Sequence, residues 1–194
     1  MLNLRKCGHK DLERYYSLLE MDFAKEEIIS KLSLHRALMN GSAELLVVYD
    51  EESALEVAYA LVLTKNLYGY VLLKYMAVLP WYRGKGVGIA AMRLINKRYA
   101  DRQGIIAELT SFEDEDGSMI KGLRKFFARF GFVRIDSDYR IGGAPVELMV
   151  KPIKGTFEIE PVEHRIIRDF YTRVLNPFTM DKMIDIRPVK KQGD

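Results

Sequence analysis

A short glycine-rich segment with two cations is the part of the sequence best suited to binding a ligand. Residues 83–88, Arg-Gly-Lys-Gly-Val-Gly, lie between a hydrophobic run that ends at Val78 and an amphipathic stretch that begins near Val87. Glycine lets the main chain approach a ligand closely because it has no Cβ. The free amides and positive partial charge of a first helical turn favour an anion. The segment therefore predicts a strand-to-helix junction that holds a phosphate-bearing ligand.

Two other phosphate-binding motifs do not fit this segment. A dinucleotide fingerprint needs Gly-x-Gly-x-x-Gly, whereas the glycines stand at 84, 86 and 88, and no acidic residue follows in the usual place. A P-loop needs Gly, four residues, then Gly-Lys and Ser or Thr, a pattern that the chain lacks. The cations at 83 and 85 also argue against an ordinary turn. We therefore exclude hydrolysis of nucleoside triphosphates.

The elements that position this junction are predicted from hydrophobic periodicity. Strands are predicted at 2–6, 44–49, 55–63, 68–79, 104–110, 132–135 and 146–150, with Gly142-Gly143 in the last turn. Helices are predicted from residue 8 to about 19, and at 25–39, 87–103 and 118–130. The strand, helix and strand across residues 71–110 imply parallel pairing inside an otherwise antiparallel sheet. Such sheets bind ligands at the carboxyl ends of their parallel strands.

The bulk composition is that of an ordinary soluble globular protein. The chain has 194 residues, 48% hydrophobic and 29% charged, which fits one domain with a sizeable core. Its formal net charge of +3 is too small to indicate nucleic-acid binding. The tail cations Arg187, Lys190 and Lys191 lack interleaved aromatic residues. We therefore expect no nucleic-acid partner.

The cysteine and histidine content and the lengths of the apolar segments indicate which kind of protein this is. Cys7 is the only cysteine, which excludes an internal disulfide and fits a reducing compartment. His9, His35 and His164 lie far apart and form no zinc-binding pattern, so we expect no metal site. The sequence has no apolar stretch of about 18 residues and no signal-peptide pattern. We expect a cytoplasmic protein without membrane contact.

We predict that residues 154–194 form an extension that contains one amphipathic helix. Pro161 suits a first helical turn, and Asn176-Pro177 suits a stop. Between them, apolar residues recur every four positions, at Val162, Ile166, Phe170 and Val174. We expect this face to pack on its own domain or, alternatively, on a partner in a homodimer.

Two segments resemble a known family. Residues 77–88, Ala-Val-Leu-Pro-Trp-Tyr-Arg-Gly-Lys-Gly-Val-Gly, resemble the acetyl-CoA-binding signature of the GNAT superfamily of N-acetyltransferases, Arg/Gln-x-x-Gly-x-Gly/Ala. Arg83, Gly86 and Gly88 match it in register. Residues 126–132 resemble the family's later segment, an aromatic pair, three residues, then Gly-Phe. The resemblance covers roughly residues 2–152, so we expect a GNAT N-acetyltransferase domain at 1–153.

The resemblance also implies a fold. It is the GNAT-like acyl-CoA N-acyltransferase fold of the α/β class (an α+β mixed sheet). A central, mostly antiparallel sheet with one parallel strand pair is flanked by helices. The C-terminal helical extension would be added to this fold.

Acetyl-CoA (coenzyme A) is the cosubstrate that the resemblance implies. Its pyrophosphate would lie on the amides of residues 84–89, while the main chain at Met76 and Val78 would hold the pantetheine arm and the acetyl carbonyl. A bulge or splay near Met76 would free those main-chain groups. The expected cofactor-binding residues are Met76, Ala77, Val78, Arg83, Gly84, Lys85, Gly86, Val87, Gly88, Ile89 and Phe127.

Acetyl transfer to an amine needs a group that takes a proton from the substrate ammonium, and stabilisation of an oxyanion. The backbone amide near Val78 suits the oxyanion. Glu108 is our candidate for the base, because it is a lone acid in an apolar strand and shares a face with Ile106 and Thr110. The alternative is a carboxylate on a solvated face or one paired with a neighbouring lysine.

The group that protonates the departing thiolate is not obvious from the sequence. GNAT members often have a tyrosine as the second aromatic residue of the later segment, where this chain has Phe127. A phenyl ring donates no proton. Either the thiolate leaves unprotonated, since a thiol has a pKa near 8.5, or another hydroxyl substitutes. Tyr139 is our candidate, with Tyr75 and Tyr70 as alternatives.

We therefore expect an N-acetyltransferase that moves an acetyl group to a primary amine of a small molecule or peptide, by direct attack in a ternary complex. Glu113-Asp114-Glu115-Asp116 follows the strand of Glu108 and could attract a cationic amine. The alternative for this loop is a solvated segment that caps the next helix. The alternative function is a catalytically weakened acyl-CoA-binding sensor or interaction module. The sequence does not specify the acceptor.

Overall fold

The fold is built around one mixed β-sheet in which two central strands run parallel. The computed structural model describes residues 1–110, 117–135, 138–155 and 162–187. The strands of these residues are β1 (Leu2–Cys7), β2 (Ala43–Asp50), β3 (Glu56–Leu63), β4 (Tyr70–Val78), β5 (Gly104–Thr110), β6 (Val133–Ile135), β7 (Asp138–Ile141), β8 (Ala144–Pro152) and β9 (Ile184–Arg187). The helices are α1 (Leu12–Asp22), α2 (Lys31–Met39), α3 (Val87–Arg98), α4 (Ser118–Ala128), α5 (Val162–Thr172) and α6 (Pro177–Met183).

The strand order across the sheet is β1-β2-β3-β4-β5-β8-β7-β9, and β6 pairs with β8. The pair β4 and β5 is parallel, and every other described pair is antiparallel. The predicted mixed sheet with one parallel pair is therefore confirmed. The strands β7 and β9 were not predicted as separate strands. Both have only four residues, too few for a clear period.

Helices cover both faces of the sheet. One face carries α1, α2, α5 and α6, which pack with the sheet in the largest apolar cluster. The opposite face carries α3 and α4, whose apolar residues pack over β4 and β5. Among the described helices, none combines the length and apolarity needed to cross a bilayer.

The predicted helix over residues 25–39 begins later than expected. Only a short 3-10 turn forms at Lys25–Glu27, and α2 begins after Ser30, whose side chain accepts a hydrogen bond from the Ser33 amide. A serine in this role is a strong helix start. The intervening Ile29 amide donates to the hydroxyl of Tyr75 at 2.9 Å, which is not a helical bond. A tertiary contact therefore holds this stretch out of the helix.

The C-terminal extension contributes two helices and a strand to the same sheet and core. Ile166, Ile167, Phe170 and Tyr171 of α5 are each at most 1% exposed and lie in the cluster shared with α1. Asn176-Pro177, which we predicted as a stop, begins α6, because the Asn176 side chain caps that helix by accepting from Thr179. The strand β9 then pairs with β7.

A β-bulge in β4 places two successive side chains on the same face of the sheet. Tyr75 lies opposite Leu61 and Leu73 lies opposite Val62, so Lys74 is an extra residue in β4. An extra residue interrupts the alternation of side chains between the two faces. Lys74 and Tyr75 consequently both face the side of α1 and α5. The bulge lies two residues before Met76, near which we expected it.

Gly104 provides a test of the close packing where the parallel pair begins. A Cβ built on Gly104 would lie 2.6 Å from the Tyr70 ring and 2.7 Å from the Lys151 carbonyl oxygen. We expect Gly104→Ala to lower the free energy of unfolding by about 1–3 kcal/mol through overpacking, as measured by urea denaturation. Gly122→Ala is the matched control, since Gly122 is exposed in α4 with no atom within 4 Å of an added Cβ. That change should stabilise by about 0.5–1 kcal/mol, and equal effects at the two sites would contradict the prediction.

Candidate active site

The sheet opens between β4 and β5. Their parallel ladder runs from Tyr70 paired with Gly104 to Leu73 paired with Ala107. Both strands continue beyond that point, β4 to Val78 and β5 to Thr110. The carboxyl ends of the parallel strands therefore separate, which is the place where the sequence predicted a ligand.

The free edge of β4 consists of the backbone of Met76 and Val78. Successive pairs in an antiparallel ladder alternate between pairs that exchange hydrogen bonds and pairs that do not. The Leu79 amide donates to β3, so the pair Tyr59 with Ala77 also exchanges hydrogen bonds. The N–H and C=O groups of Met76 and Val78 therefore point away from β3, into the opening. Ala77 gives its backbone groups to β3, and its side chain packs against the core.

The glycine loop follows β4 and leads into α3. Gly84 has φ 74° and Gly86 has φ 78°, and a Cβ added to either would meet no atom within 4 Å. The Ile89 amide donates to the Gly86 carbonyl at 3.1 Å, so its N–H is used by the helix. Within the described part of the chain, the amides of residues 84–88 donate to no protein acceptor. Five adjacent donors next to open space form a cradle that suits a diphosphate.

The two cations of the loop are held differently. The Arg83 guanidinium donates through Nε to the Val78 carbonyl at 2.9 Å, and through a terminal nitrogen to Asp22 Oδ1 at 2.6 Å. It therefore braces the loop against the ends of β4 and α1. Lys85 is exposed, with its Nζ 6.0 Å from the centre of the Tyr82 ring. The Arg83 side chain is also exposed, at 55%, so the two cations differ in their partners rather than in their burial.

The aromatic residues of α4 divide between the core and the loop. Phe127 is 5% exposed, and its ring packs edge-on to Phe126 at 5.3 Å and near Phe132 at 5.1 Å. Phe126 lies against the loop, because a Cβ on Gly88 would be 3.8 Å from its ring. The sequence analysis proposed Phe127 as a cofactor-binding residue, whereas the ring that lies beside the loop is that of Phe126. Val87, also among the expected cofactor-binding residues, is the first residue of α3 and is buried, with an 8% exposed fraction.

Glu108 lies at the centre of a buried polar cluster. Its Oε2 accepts hydrogen bonds from Lys74 Nζ and the Tyr171 hydroxyl, both at 2.8 Å, and its Oε1 accepts from the Tyr139 hydroxyl at 2.9 Å. The side chains of Lys74 and Glu108 are each 1% exposed. The alternative in which Glu108 pairs with a neighbouring lysine is therefore the one observed. No sequence signal indicated that Lys74 and Tyr171 would join it.

The two tyrosines of this cluster act as hydrogen-bond donors. Burial raises the pKa of Tyr139 and of Tyr171 well above the usual value of 10, and the negative charge of Glu108 raises both further. Their hydroxyls therefore remain protonated at physiological pH. The Tyr139 hydroxyl, our candidate proton donor, is directed at Glu108 and is fully buried.

The other two tyrosine candidates lie elsewhere. The hydroxyl of Tyr75 donates to the Glu27 carbonyl at 2.8 Å and accepts from the Ile29 amide, so it anchors the segment before α2. Burial raises its pKa also. Tyr70 stands at the first residue of β4, at the opposite end of that strand from the glycine loop. Residues 113–116, the predicted acidic loop, lie outside the described residues.

A cleft of about 160 Å³ lies at the opening between β4 and β5. Its lining residues include three carboxylates and one lysine from four separate segments, together with an apolar wall: Asp22, Phe23, Ala24, Glu27, Lys74, Glu108, Leu109, Thr110, Met119 and Leu123. Thr110 donates to Glu27 Oε2 at 2.6 Å, and Tyr59 donates to Asp22 Oδ2 at 2.8 Å. Because the Glu108 side chain is 1% exposed while the residue as a whole is half-buried, its backbone is what faces the cleft.

Among the described residues, no group of three or more His, Cys, Asp or Glu side chains could hold a metal ion.

Comparison with known proteins agrees with this fold. Residues 41–134 match the family model of the acetyltransferase (GNAT) domain. A protein described as a GNAT-family acetyltransferase from Bacteroides thetaiotaomicron superposes with a TM-score of 0.68 at 19% identity, covering 88% of this chain and 96% of that one. A spermidine/spermine N-acetyltransferase, SpeG from Vibrio cholerae, gives 0.58 at 15% identity, covering 79% and 95%. Arabidopsis thaliana NAA60, in complex with a bisubstrate analogue, gives 0.57 at 16% identity, covering 80% and 100%. No curated protein sequence matches the chain.

Proposed function

We propose that this chain, which carries a GNAT acetyltransferase domain and has the GNAT fold, transfers an acetyl group from acetyl-CoA to a primary amine. The observation that carries the proposal is the row of amide donors at residues 84–88 beside the free edge of β4. In this reading the loop amides bind the diphosphate of coenzyme A. The outward backbone groups of Met76 bind the pantetheine arm, as an added strand would, and the outward Val78 amide faces the acetyl carbonyl. The Val78 carbonyl already accepts from Arg83.

The residues present suit that cosubstrate. Left-handed Gly84 and Gly86 keep the loop amides uncovered, and Lys85 supplies an exposed positive charge for a phosphate. Arg83 is engaged with Val78 and Asp22, so we assign it to holding the loop in shape. The ring of Phe126 beside Gly88 adds an apolar contact at the start of α3.

The reaction joins the acceptor nitrogen to the acetyl carbon and breaks the bond from that carbon to sulfur. The amine must first lose a proton, and the sulfur leaves as a thiolate or takes a proton from solvent or from the protein. The outward Val78 amide is our candidate donor to the oxyanion that forms at the acetyl carbonyl. Asp22 is already paired with Arg83. Glu27, whose carboxylate accepts from the Thr110 hydroxyl and the Ala24 amide, is therefore our candidate to attract a cationic amine at the cleft and to accept its proton through water.

Glu108 and Tyr139 remain our candidates for a catalytic contribution, but their burial changes the form that it takes. The carboxylate has three donors around it and no exposed surface of note. We propose that Glu108 contributes from beneath the cleft, through its charge and through the ion pair that links the ends of β4 and β5. We further propose that the Tyr139 hydroxyl holds the Glu108 carboxylate in position. Direct proton transfer by either group would require the cleft to open further.

The acceptor class follows from the cleft. A volume of about 160 Å³ is smaller than a typical ligand pocket of roughly 300–1,000 Å³. Its carboxylates and apolar wall suit the aminoalkyl end of a molecule whose remainder stays outside. Similar structures include spermidine N-acetyltransferases, so a polyamine is a reasonable first acceptor to test, beside peptides with a free amino terminus.

A coenzyme A-binding module without turnover is the second candidate. It is favoured by Phe127, which stands where many GNAT members have a tyrosine, and by the burial of the Tyr139 hydroxyl. Neither residue offers a proton to a thiolate in the cleft. The module would bind coenzyme A as described but release no thiol.

One experiment distinguishes the two functions. Purified protein is incubated with acetyl-CoA and a panel of polyamines, amino acids and short peptides, and free thiol is measured with a chromogenic reagent. We expect thiol release that depends on one class of amine. Micromolar binding of coenzyme A by calorimetry without thiol release would support the binding module, and absence of both would contradict either function.

A further inference from the structure

The C-terminal extension supplies a hydrogen-bond donor beneath the proposed acyl-transfer cleft. We propose that Tyr171 of α5 is a positioning residue. It holds the Glu108 carboxylate and, through the ion pair with Lys74, fixes the separation of β4 and β5 where the sheet opens. Its kinetic consequence rests on the proposed function, whereas its effect on the two strands does not.

The ion pair stands at the exact point where the strands part. The last ladder pair of β4 and β5 is Leu73 with Ala107, and the next residue on each strand is Lys74 and Glu108. Their 2.8 Å contact is therefore a side-chain link that follows the last backbone link. Leu72 and Ile106 pair with each other and face the apolar cluster of α1 and α5. Lys74 and Glu108 each lie two residues further along their strands, so the alternation of side chains places both charges on that same face.

The position of the Glu108 carboxylate is set by three donors from three elements. Lys74 comes from β4, Tyr139 from β7 and Tyr171 from α5. A carboxylate has about four lone-pair sites, so most of its capacity is used. Since both charged side chains are 1% exposed, water does not compete for these bonds. Removal of one donor should therefore let the carboxylate, and the strand that carries it, shift.

Tyr171 is well placed to act as a rigid donor. Its helix is anchored by neighbours that are at most 1% exposed, Ile166, Ile167 and Phe170. The hydroxyl lies 63 residues from Glu108 in the sequence, so the contact exists only because α5 packs on the sheet. The Tyr171 hydroxyl thereby links the extension to Glu108, and Glu108 is one of the residues that line the cleft.

The test is Tyr171→Phe, which removes the hydroxyl and keeps the ring. We expect kcat for the amine found above to fall about tenfold, with the KM for acetyl-CoA changed by less than about twofold, because the glycine loop is untouched. Hydrogen exchange, read by mass spectrometry, should become faster in peptides covering residues 74–78 and 108–110.

A matched control separates positioning from general loss of stability. The Tyr99 hydroxyl also donates to a glutamate, Glu44, at 2.8 Å, and Tyr99 is only 3% exposed, at the end of α3. Tyr99→Phe should cause a similar shift in Tm but leave kcat unchanged. Its faster exchange should be confined to β2 and α3.

A double-mutant cycle tests whether Tyr171 acts through Glu108. Glu108→Gln keeps the shape of the side chain and removes its charge. If Tyr171 acts through the carboxylate, the tenfold effect of Tyr171→Phe on kcat should shrink to less than about twofold in the Glu108→Gln background. Additive effects, or equal effects of Tyr171→Phe and Tyr99→Phe on kcat and exchange, would overturn the proposal.

Hydrogen exchange distinguishes failure of the positioning role from failure of the proposed function. If the wild-type protein acetylates no amine, faster exchange at residues 74–78 and 108–110 in Tyr171→Phe alone still supports the positioning role. If exchange there is unchanged, the positioning role is overturned whether or not the protein turns over.

Discussion

Gly86→Glu is expected to reduce affinity for coenzyme A by a factor of about 100 or more, which corresponds to about 2.7 kcal/mol or more of binding free energy. The new carboxylate would project into the open space beside the amides of residues 84–88. A negative charge there opposes the diphosphate by like-charge repulsion and by occupying its volume. Calorimetric titration with coenzyme A measures the change, and undiminished affinity would contradict the site.

The control for this variant must share its backbone strain. A side chain at left-handed φ costs of order 1–2 kcal/mol wherever it occurs. Gly155→Glu introduces the same residue at φ 75°, again with no atom within 4 Å of the Cβ. Gly155 follows β8, whose end pairs with the start of β5, far from the glycine loop. We expect similar Tm shifts for the two variants and loss of affinity only for Gly86→Glu.

Glu108→Leu is expected to lower the free energy of unfolding by about 3–5 kcal/mol, because it leaves a buried charge at Lys74 without its partner. It also removes the acceptor of two buried hydroxyls, those of Tyr139 and Tyr171. Lys74→Met in the same chain removes the orphaned charge. Replacement of both members of a buried pair by apolar residues is often nearly neutral, so the double variant should recover at least about 2 kcal/mol. Urea denaturation of the four proteins gives the coupling energy.

An exposed pair of the same type provides the comparison. Lys31 Nζ lies 2.8 Å from Glu13, the same distance as in the buried pair, but both side chains are about half exposed or more, at 47% and 75%. Exposed pairs are screened by water and salt. The cycle of Lys31→Met and Glu13→Leu should therefore show no measurable coupling. Equal coupling in the two cycles would contradict the assigned role of burial.

Local features of this protein were readable from its sequence. The alternation of apolar residues predicted the meander β2, β3 and β4, and the helical spacing after Gly86 predicted α3. Glycines with adjacent cations predicted the loop. These patterns depend on residues within one or two turns or strands of each other, so their physics is local. Glu108 was noticeable as a lone acid in an apolar strand, but the sequence did not identify the residues that contact it.

The tertiary structure alone decided what surrounds Glu108. The pairing register of β4 with β5 places Lys74 beside Glu108, and no local periodicity specifies that register. The packing of α5 brings Tyr171 to the carboxylate from 63 positions away, and residues of α5, α6 and β9 join the same apolar core. The chain by itself determined which stretches are strands, helices and loop, because short-range sterics and burial dictate them. The packing of those stretches decided which side chains come together where β4 and β5 separate. These contacts join residues that are far apart in the sequence, so no local pattern could predict them.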